Sequence, residues 1–131
     1  MNTPINQSVN PPASQPTRAP SYSTITRDAL KARLDAGEPT LLVEALPARY
    51  YDAEHLPGAI NLPHDEIRLL APSALPDKDA SIVVYCASTE CQNSSIAAQI
   101  LAAAGYRNVM EFVEGKAGWL DAGYPMEGTA V

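Results

Sequence analysis

The sequence predicts an α/β fold in which a parallel sheet carries helices on both of its faces. Short apolar runs without a helical period alternate along the chain with longer segments whose apolar residues recur at helical spacing. Glycine and proline residues separate most of these segments, as they do at the turns of an α/β domain. Strands that are covered on both faces read as continuous apolar runs, so this alternation indicates a buried parallel sheet.

The first helix and the first strand are marked by clear boundary signals. Thr26 is a candidate N-cap, and Gly37 is a candidate stop for the helix that follows. Leu30 and Leu34 are spaced to share one face of this helix. The apolar run 40–45 then predicts a buried strand.

The middle of the chain predicts two short helices around a second strand. Residues 48–53 are expected to form one helical turn, and the run 59–62 predicts a strand. Pro63 stands before the next helix, which we expect to carry Ile67 and Leu70 inward.

The second half of the domain predicts two more strands, each followed by a helix. The run 81–85 is the predicted central strand, and the run 109–113 is the last strand. Gly105 ends the helix between them, and a short helix surrounds Trp119. The predicted inward stripe of the helix before Gly105 consists of Ile96, Ala97, Ile100, Leu101 and Ala104.

The two ends of the chain are predicted to lie outside the folded domain. Residues 1–21 combine several prolines with Asn, Gln, Ser and Thr and hold few large apolar side chains. Such a segment buries too little surface to offset its ordering entropy, so we predict a disordered tail, with a proline-rich docking peptide as the alternative. We predict one domain over 22–128 and a disordered end at 129–131.

Composition excludes several classes of partner. The chain has 131 residues, of which 46% are hydrophobic, and a formal net charge of −6. That is enough apolar material for one core, and the acidic surface argues against nucleic acid and anionic membranes. Neither a secretory signal nor an apolar run long enough for a membrane span is visible, so we expect a cytoplasmic monomer.

Cys86 is the predicted nucleophile. It follows the central strand directly and precedes a predicted helix that begins near Ser94. Functional groups of open α/β sheets lie beyond the carboxyl ends of the strands. Loop amides and the positive end of a helix dipole both favour an anion, so we expect Cys86 to be held as a thiolate. The alternative is a small buried hydrophobic residue with no reactivity.

The polar segment after Cys86 is the predicted active-site loop. Its backbone amides are expected to surround an anion, as a nest of N–H groups does. Cys91 is a candidate resolving thiol, with a bystander thiol as the alternative. The hydroxyls near the loop can hydrogen-bond the sulfur or cap the helix. The loop residues are Ala87, Ser88, Thr89, Glu90, Cys91, Gln92 and Asn93.

One lysine and two histidines are further polar residues of the globular part. Lys116 follows Gly115 near the end of the last strand, so it could supply a cation at the loop mouth, with a solvated surface lysine as the alternative. His55 is expected to be a structural turn residue, and His64 is expected to face water. The two cysteines and these distant histidines do not make a zinc site, so we predict no metal and no cofactor.

Four segments of the chain carry motif-like patterns: 55–63 (HLPGAINLP), 82–86 (IVVYC), 105–109 (GYRNV) and 114–119 (EGKAGW). Together they resemble the motifs of rhodanese domains. The resemblance implies a single, open, mostly parallel five-stranded sheet with helices on both faces. It also implies sulfur transfer from a small donor (thiosulfate, 3-mercaptopyruvate or a persulfide) to a thiol acceptor or an acceptor protein, through a persulfide on Cys86.

The active-site loop departs from the family pattern. It is longer than usual, and Asn93 stands where the family has an arginine that closes the loop. Glu90 adds a negative charge inside the loop, which opposes an anionic donor. Two alternatives to a sulfurtransferase therefore stay open: a redox or persulfide relay between Cys86 and Cys91, and a rhodanese fold that binds a partner without catalysis.

Overall fold

The computed structural model describes residues 21–131, and the predicted tail lies outside these residues except for Ser21. Strands and helices alternate along this part of the chain. The strands are β1 (Ser23–Thr24), β2 (Leu41–Glu44), β3 (Ile60–Asn61), β4 (Ser81–Tyr85) and β5 (Asn108–Phe112). The helices are α1 (Arg27–Asp35), α2 (Ala48–Ala53), α3 (Ile67–Ala74), α4 (Asn93–Ala103) and α5 (Gly115–Asp121).

The five strands form one parallel sheet in the order β1-β5-β4-β2-β3. The predicted α/β fold is therefore confirmed, with β4 at its centre. The apolar patterns predicted the other four strands but not β1, which is two exposed residues long and pairs with β5. A strand of this length has no periodicity that a sequence pattern can reveal.

Each face of the sheet is covered by helices around its own apolar cluster. One cluster packs α3 and α4 against the sheet through residues such as Ile67, Leu101 and Val84. The other cluster packs α1 and α5 against the opposite face through Leu30 and Trp119. Thr26 caps α1 as predicted, because its Oγ1 accepts a hydrogen bond from Ala29 N at 3.2 Å.

The inward faces of two helices differ from the prediction. In α3, Ile67 is buried, but Leu70 is 37% exposed, and Ala71 takes the inward position one turn after Ile67. In α4, Ile96 is 39% exposed, and the predicted inward residue Ala104 is exposed as well. The buried stripe is rotated toward Ser94 and Ala98. A helix that is apolar on most sides does not define its buried face by pattern alone.

The C-terminal end also differs from the prediction. Residues 129–131 were expected to be disordered, but Thr129 N and Ala130 N donate to Asp52 O and Ala53 O at 2.9 Å each. These bonds attach the end of the chain to α2. Every helix of the described part is too short or too polar to cross a membrane.

Candidate functional site

The N-terminus of α5 holds the start of the loop in place. Lys116 N and Ala117 N donate to Cys86 O and Ala87 O, at 2.9 Å each. Gly115 makes this approach possible, because a Cβ at that position would lie 2.5 Å from Cys86 O and its φ of +62° favours glycine. The backbone of Cys86 is thus fixed at the carboxyl end of β4.

The sulfur of Cys86 is buried in a polar environment. The residue is 1% exposed. Its Sγ lies 3.4 Å from Cys91 O and 3.3 Å from Ser94 Oγ, so its thiol hydrogen has two acceptors within reach. The sulfur is therefore in contact with two hydrogen-bonding groups, although it is buried.

The predicted thiolate is wrong for this closed loop. Burial raises the pKa of the Cys86 thiol to about 11, and a hydrogen bond with the Cys91 side chain acts in the same direction. The Ser94 hydroxyl and backbone N–H oppose this rise in the pKa but do not cancel it. A pKa raised in this way keeps the thiol protonated at pH 7. Desolvation outweighs the helix terminus because the loop covers the sulfur.

The loop amides do not form the complete anion cradle that was predicted. Cys91 N donates to Ser88 O at 3.1 Å, and Glu90 N donates to Ser88 Oγ at 3.3 Å. These two amides are consumed inside the loop. The N–H group that faces the sulfur belongs to Ser94, beyond the predicted range. Asn93 Nδ2 lies 3.4 Å from Ala45 O, so this side chain tethers the loop to the end of β2.

Lys116 does not reach the loop mouth, and the prediction of a cation there is wrong. Its side chain is 11% exposed, and its Nζ donates to Glu44 Oε2 at 3.0 Å. The same Nζ donates to Tyr50 O at 3.0 Å and to Glu54 O at 2.6 Å. All three ammonium hydrogens are therefore used in the interior. The surface alternative is wrong for the same reason.

Glu44 is the centre of this buried network. It is 0% exposed, and its Oε1 accepts from Tyr85 Oη at 2.9 Å. Burial raises the pKa of the Glu44 carboxyl, while the Lys116 hydrogen bond and charge act to lower it. Tyr85 Oη in turn accepts from Leu56 N at 3.1 Å. The network ties β2 and β4 to α5.

Glu111 is a second buried carboxylate, which sequence reasoning missed. It lies in β5, is 7% exposed, and its Oε2 accepts from Ser94 Oγ at 2.7 Å. The strand pattern contained a signal for it. Glu111 lies two residues after the buried Val109, so the alternation of a strand directs both side chains to one face.

Cys91 is half-buried, and both cysteines are free. Its thiol is close enough to Cys86 to affect the pKa of that residue by a hydrogen bond and by charge. The two candidate thiols are therefore brought together in the folded chain.

The histidines are not part of the site. His55 Nδ1 lies 2.7 Å from Tyr51 O and its ring stacks on the Tyr51 ring, which confirms the structural turn residue. His64 was expected to face water, but it is half-buried and its Nδ1 is shielded without a hydrogen-bond partner in the described part. No group of three His, Cys, Asp or Glu side chains within residues 21–131 could hold a metal ion.

Several known proteins are similar to this chain in sequence. The family model of the rhodanese-like domain matches residues 26–122. An HTH-type transcriptional regulator of Mycobacterium tuberculosis is 39% identical over 103 residues, which cover 79% of this chain and 44% of the regulator. A thiosulfate sulfurtransferase of Escherichia coli is 39% identical over 59 residues, which cover 45% of this chain and 55% of that enzyme.

A solved structure agrees with this assignment. The solution structure of a rhodanese-like domain from an Anabaena protein superimposes with a TM-score of 0.75 at 32% identity, covering 84% of this chain and 82% of that domain. The chain spans about half the length of the two curated relatives described above. With the family model matching most of the globular part, the chain belongs to the rhodanese-like domain family.

Proposed function

We propose that this domain is a sulfurtransferase that carries sulfane sulfur as a persulfide on Cys86 and passes it to a thiol acceptor. The observation that carries the proposal is the position of the Cys86 sulfur. It lies at the carboxyl end of the central strand, 3.3 Å from the Ser94 hydroxyl at the start of α4 and 3.4 Å from the Cys91 carbonyl. A merely structural cysteine is expected among apolar side chains. The family and the sulfurtransferase relative support the same chemistry.

The reaction has two half-steps. The Cys86 thiolate attacks the outer sulfur of the donor, a new S–S bond forms, and the donor bond to that sulfur breaks. The leaving group, which is sulfite when the donor is thiosulfate, departs with the electron pair. An acceptor thiolate then attacks the outer sulfur of the persulfide, and Cys86 leaves as a thiolate. Covalent catalysis of this kind predicts ping-pong kinetics.

The donor reaches Cys86 when the loop opens. Cys86 is 1% exposed, and the Cys91 carbonyl lies directly against its sulfur. The cover is thin, because Ala87, Thr89 and Gln92 are exposed. Displacement of the Cys91 peptide is therefore the motion that uncovers the nucleophile.

The charges around the loop favour a persulfide donor over thiosulfate. Lys116 is committed to Glu44, and Asn93 brings no charge. Arg27 lines a cavity together with Ser88, but its guanidinium donates to Gly118 O at 3.1 Å and to Asp121 at 3.4 Å. A doubly charged donor would lack the cationic contacts that bind such anions strongly.

A relay between Cys86 and Cys91 is the second candidate function. It is favoured by the position of Cys91, whose carbonyl oxygen lies 3.4 Å from the Cys86 sulfur and whose side chain contributes to the raised pKa of the Cys86 thiol. In this reaction the Cys91 thiolate attacks the inner sulfur of the Cys86 persulfide, a disulfide forms, and hydrosulfide leaves with the electron pair. The chain then needs a thiol reductant before the next cycle.

Intact-mass measurement tests the proposal. The protein is incubated with thiosulfate, 3-mercaptopyruvate or a low-molecular-weight persulfide, and the adduct is located by digestion. We expect one added sulfur on Cys86, most readily from the persulfide donor, and none in Cys86→Ser.

The Cys91→Ser variant separates the two candidates. If Cys86 transfers sulfur directly, this variant keeps both loading and turnover. If the relay operates, it loads sulfur but releases no hydrosulfide and forms no disulfide. Failure of every donor to add sulfur to the wild-type protein would contradict both, and would leave a partner-binding domain.

A further inference from the structure

The second buried carboxylate, Glu111, has no cation to neutralise it. It is 7% exposed, and no Lys, Arg or His forms an ion pair with it in the described part of the chain. Within the described residues, the carboxylate accepts a single hydrogen bond, from Ser94 Oγ at 2.7 Å. A buried carboxylate without a paired cation is costly, so its single side-chain contact calls for an explanation.

Ser94 connects this carboxylate to the nucleophile. The serine is 1% exposed, its Oγ donates to Glu111 Oε2, and the same Oγ lies 3.3 Å from Cys86 Sγ. Because the serine hydrogen is directed to Glu111, its lone pairs face the Cys86 thiol. The Cys86 thiol, the Ser94 hydroxyl and the Glu111 carboxylate thus form a chain of hydrogen bonds, called the line below.

The sheet places the two ends of this line on one face. Glu111 is the register partner of Val84 in the β4–β5 pair, and Cys86 lies two residues after Val84. Side chains two residues apart leave the same face of a strand. α4 covers that face and brings Ser94 between the two groups.

We propose that Glu111 is a positioning residue that accepts the thiol proton of Cys86 through Ser94. The thiol proton moves to Ser94 Oγ as the serine proton moves to Glu111 Oε2. The products are a thiolate that accepts a hydrogen bond from Ser94 and a neutral Glu111 carboxyl. The net charge of the pocket does not change, and no outside base is needed. When Cys86 leaves as a thiolate at the end of turnover, the proton returns along the same line.

Proton transfer from Cys86 to Glu111 would offset the unfavourable ionisation of the thiol in the resting site. The closed loop disfavours a thiolate beside a charged carboxylate, whereas a thiolate beside a protonated carboxyl keeps a single negative charge. Cys91 in the loop is the other titratable group that contacts Cys86. From α4 the neighbouring group is the neutral Ser94 hydroxyl, and β4 contributes apolar residues.

The inference rests on the proposed function only in taking Cys86 as the nucleophile, and its test uses no sulfur donor. Alkylation of Cys86 by iodoacetamide is measured against pH in a Cys91→Ser background, where Cys86 is the remaining thiol. With Glu111 present, the rate should be nearly constant between about pH 6 and pH 8, because the proton is transferred internally. In Glu111→Gln the rate should rise about tenfold per pH unit and be lower at pH 7 by about 100-fold.

A purely electrostatic role for Glu111 predicts the opposite sign. Replacing a nearby negative charge by a neutral amide would lower the pKa of Cys86 and accelerate alkylation at pH 7. That result, or a flat profile that survives in Glu111→Gln, would overturn the proposal.

Two further variants complete the experiment. Ser94→Ala removes the hydroxyl between Cys86 and Glu111 and should give the same steep pH profile. It therefore tests the proposal even if Glu111→Gln folds poorly. Glu66→Gln is the matched control, because it removes the same charge at an exposed position before α3 and should keep the flat profile. A flat profile in a protein that no donor loads with sulfur would overturn the proposed function and still support proton transfer from Cys86 to Glu111 through Ser94.

Discussion

The two buried glutamates of this domain lie on opposite faces of the sheet and have different partners. Glu44 is 0% exposed, and its carboxylate is bound by the Lys116 ammonium and the Tyr85 hydroxyl. Glu111 is 7% exposed and is bound by the Ser94 hydroxyl, next to Cys86. The first carboxylate is neutralised by a fixed cation, which suits a structural role. Glu111 is bound by the Ser94 hydroxyl instead of a cation, and a hydroxyl can pass a proton to a carboxylate.

The largest expected effect tests the structural side of this comparison. Lys116→Met leaves Glu44 buried without its cation and removes a donor from Tyr50 O and Glu54 O. We expect the free energy of unfolding to fall by about 3–5 kcal/mol, measured by urea denaturation.

A surface pair provides the control for this variant. Lys31 and Asp35 form an exposed pair one helical turn apart, with an N–O distance of 2.7 Å. Lys31→Met should lower the free energy of unfolding by about 0.3–0.5 kcal/mol. Equal losses in the two variants would contradict a structural role for the Glu44 network.

The next effect is a pH dependence of the free energy of unfolding, caused by the Cys86 thiol next to Glu111. Burial raises the pKa of the Cys86 thiol from 9.0 to about 11. Between these values the native thiol stays protonated while the unfolded thiol ionises, so the unfolded state binds fewer protons. The free energy of unfolding should therefore fall with rising pH across this interval, by about 2–3 kcal/mol in total.

Cys86→Ser isolates this contribution from those of the tyrosines. Its free energy of unfolding should fall less steeply than that of the wild type between pH 9 and pH 11. Parallel curves for the two proteins would show that the native thiol is not protected from ionisation.

A smaller effect is expected for Tyr85→Phe. The hydroxyl donates to Glu44 at 2.9 Å and accepts from Leu56 N at 3.1 Å, and the variant leaves both partners buried. We expect a loss of about 1–3 kcal/mol in the free energy of unfolding. The matched control is Tyr50→Phe, which removes an exposed hydroxyl and should change this free energy by less than about 0.5 kcal/mol.

The smallest effect on stability is expected for Glu111→Gln. The glutamine oxygen can still accept from Ser94, and a buried charge is removed, so the free energy of unfolding should stay within about 1 kcal/mol of the wild-type value. Thermal and urea unfolding measure this value. A loss as large as that of Lys116→Met would mean that Glu111, like Glu44, is structural.

The sequence was sufficient for the fold because its signals are local. Apolar runs located β2 through β5, and the Thr26 cap and the glycine at position 105 marked helix boundaries. β1 escaped because two exposed residues carry no pattern. The buried faces of α3 and α4 were partly mispredicted. Apolar residues lie on several sides of both helices, so only tertiary packing decides which side faces the core.

The site was predicted less completely, because its chemistry depends on contacts between distant segments. The position of Cys86 followed from the end of a strand. The direction of the Lys116 side chain depends on Glu44, which lies in β2. The pKa of Cys86 depends on how the loop closes over it, and the partner of Glu111 is in α4. None of these pairings leaves a spacing signal in the sequence.

Because α5 anchors the start of the loop, the orientation of Cys86 and the access to its sulfur depend on different parts of the loop. The carbonyls of Cys86 and Ala87 are held by the first amides of α5, whereas the cover over the sulfur is formed by the Cys91 peptide. In the proposed reaction, displacement of the Cys91 peptide admits a reactant while the Cys86 sulfur keeps its orientation. Substitutions that loosen this cover should therefore change how often reactants reach the sulfur more than how fast they react there.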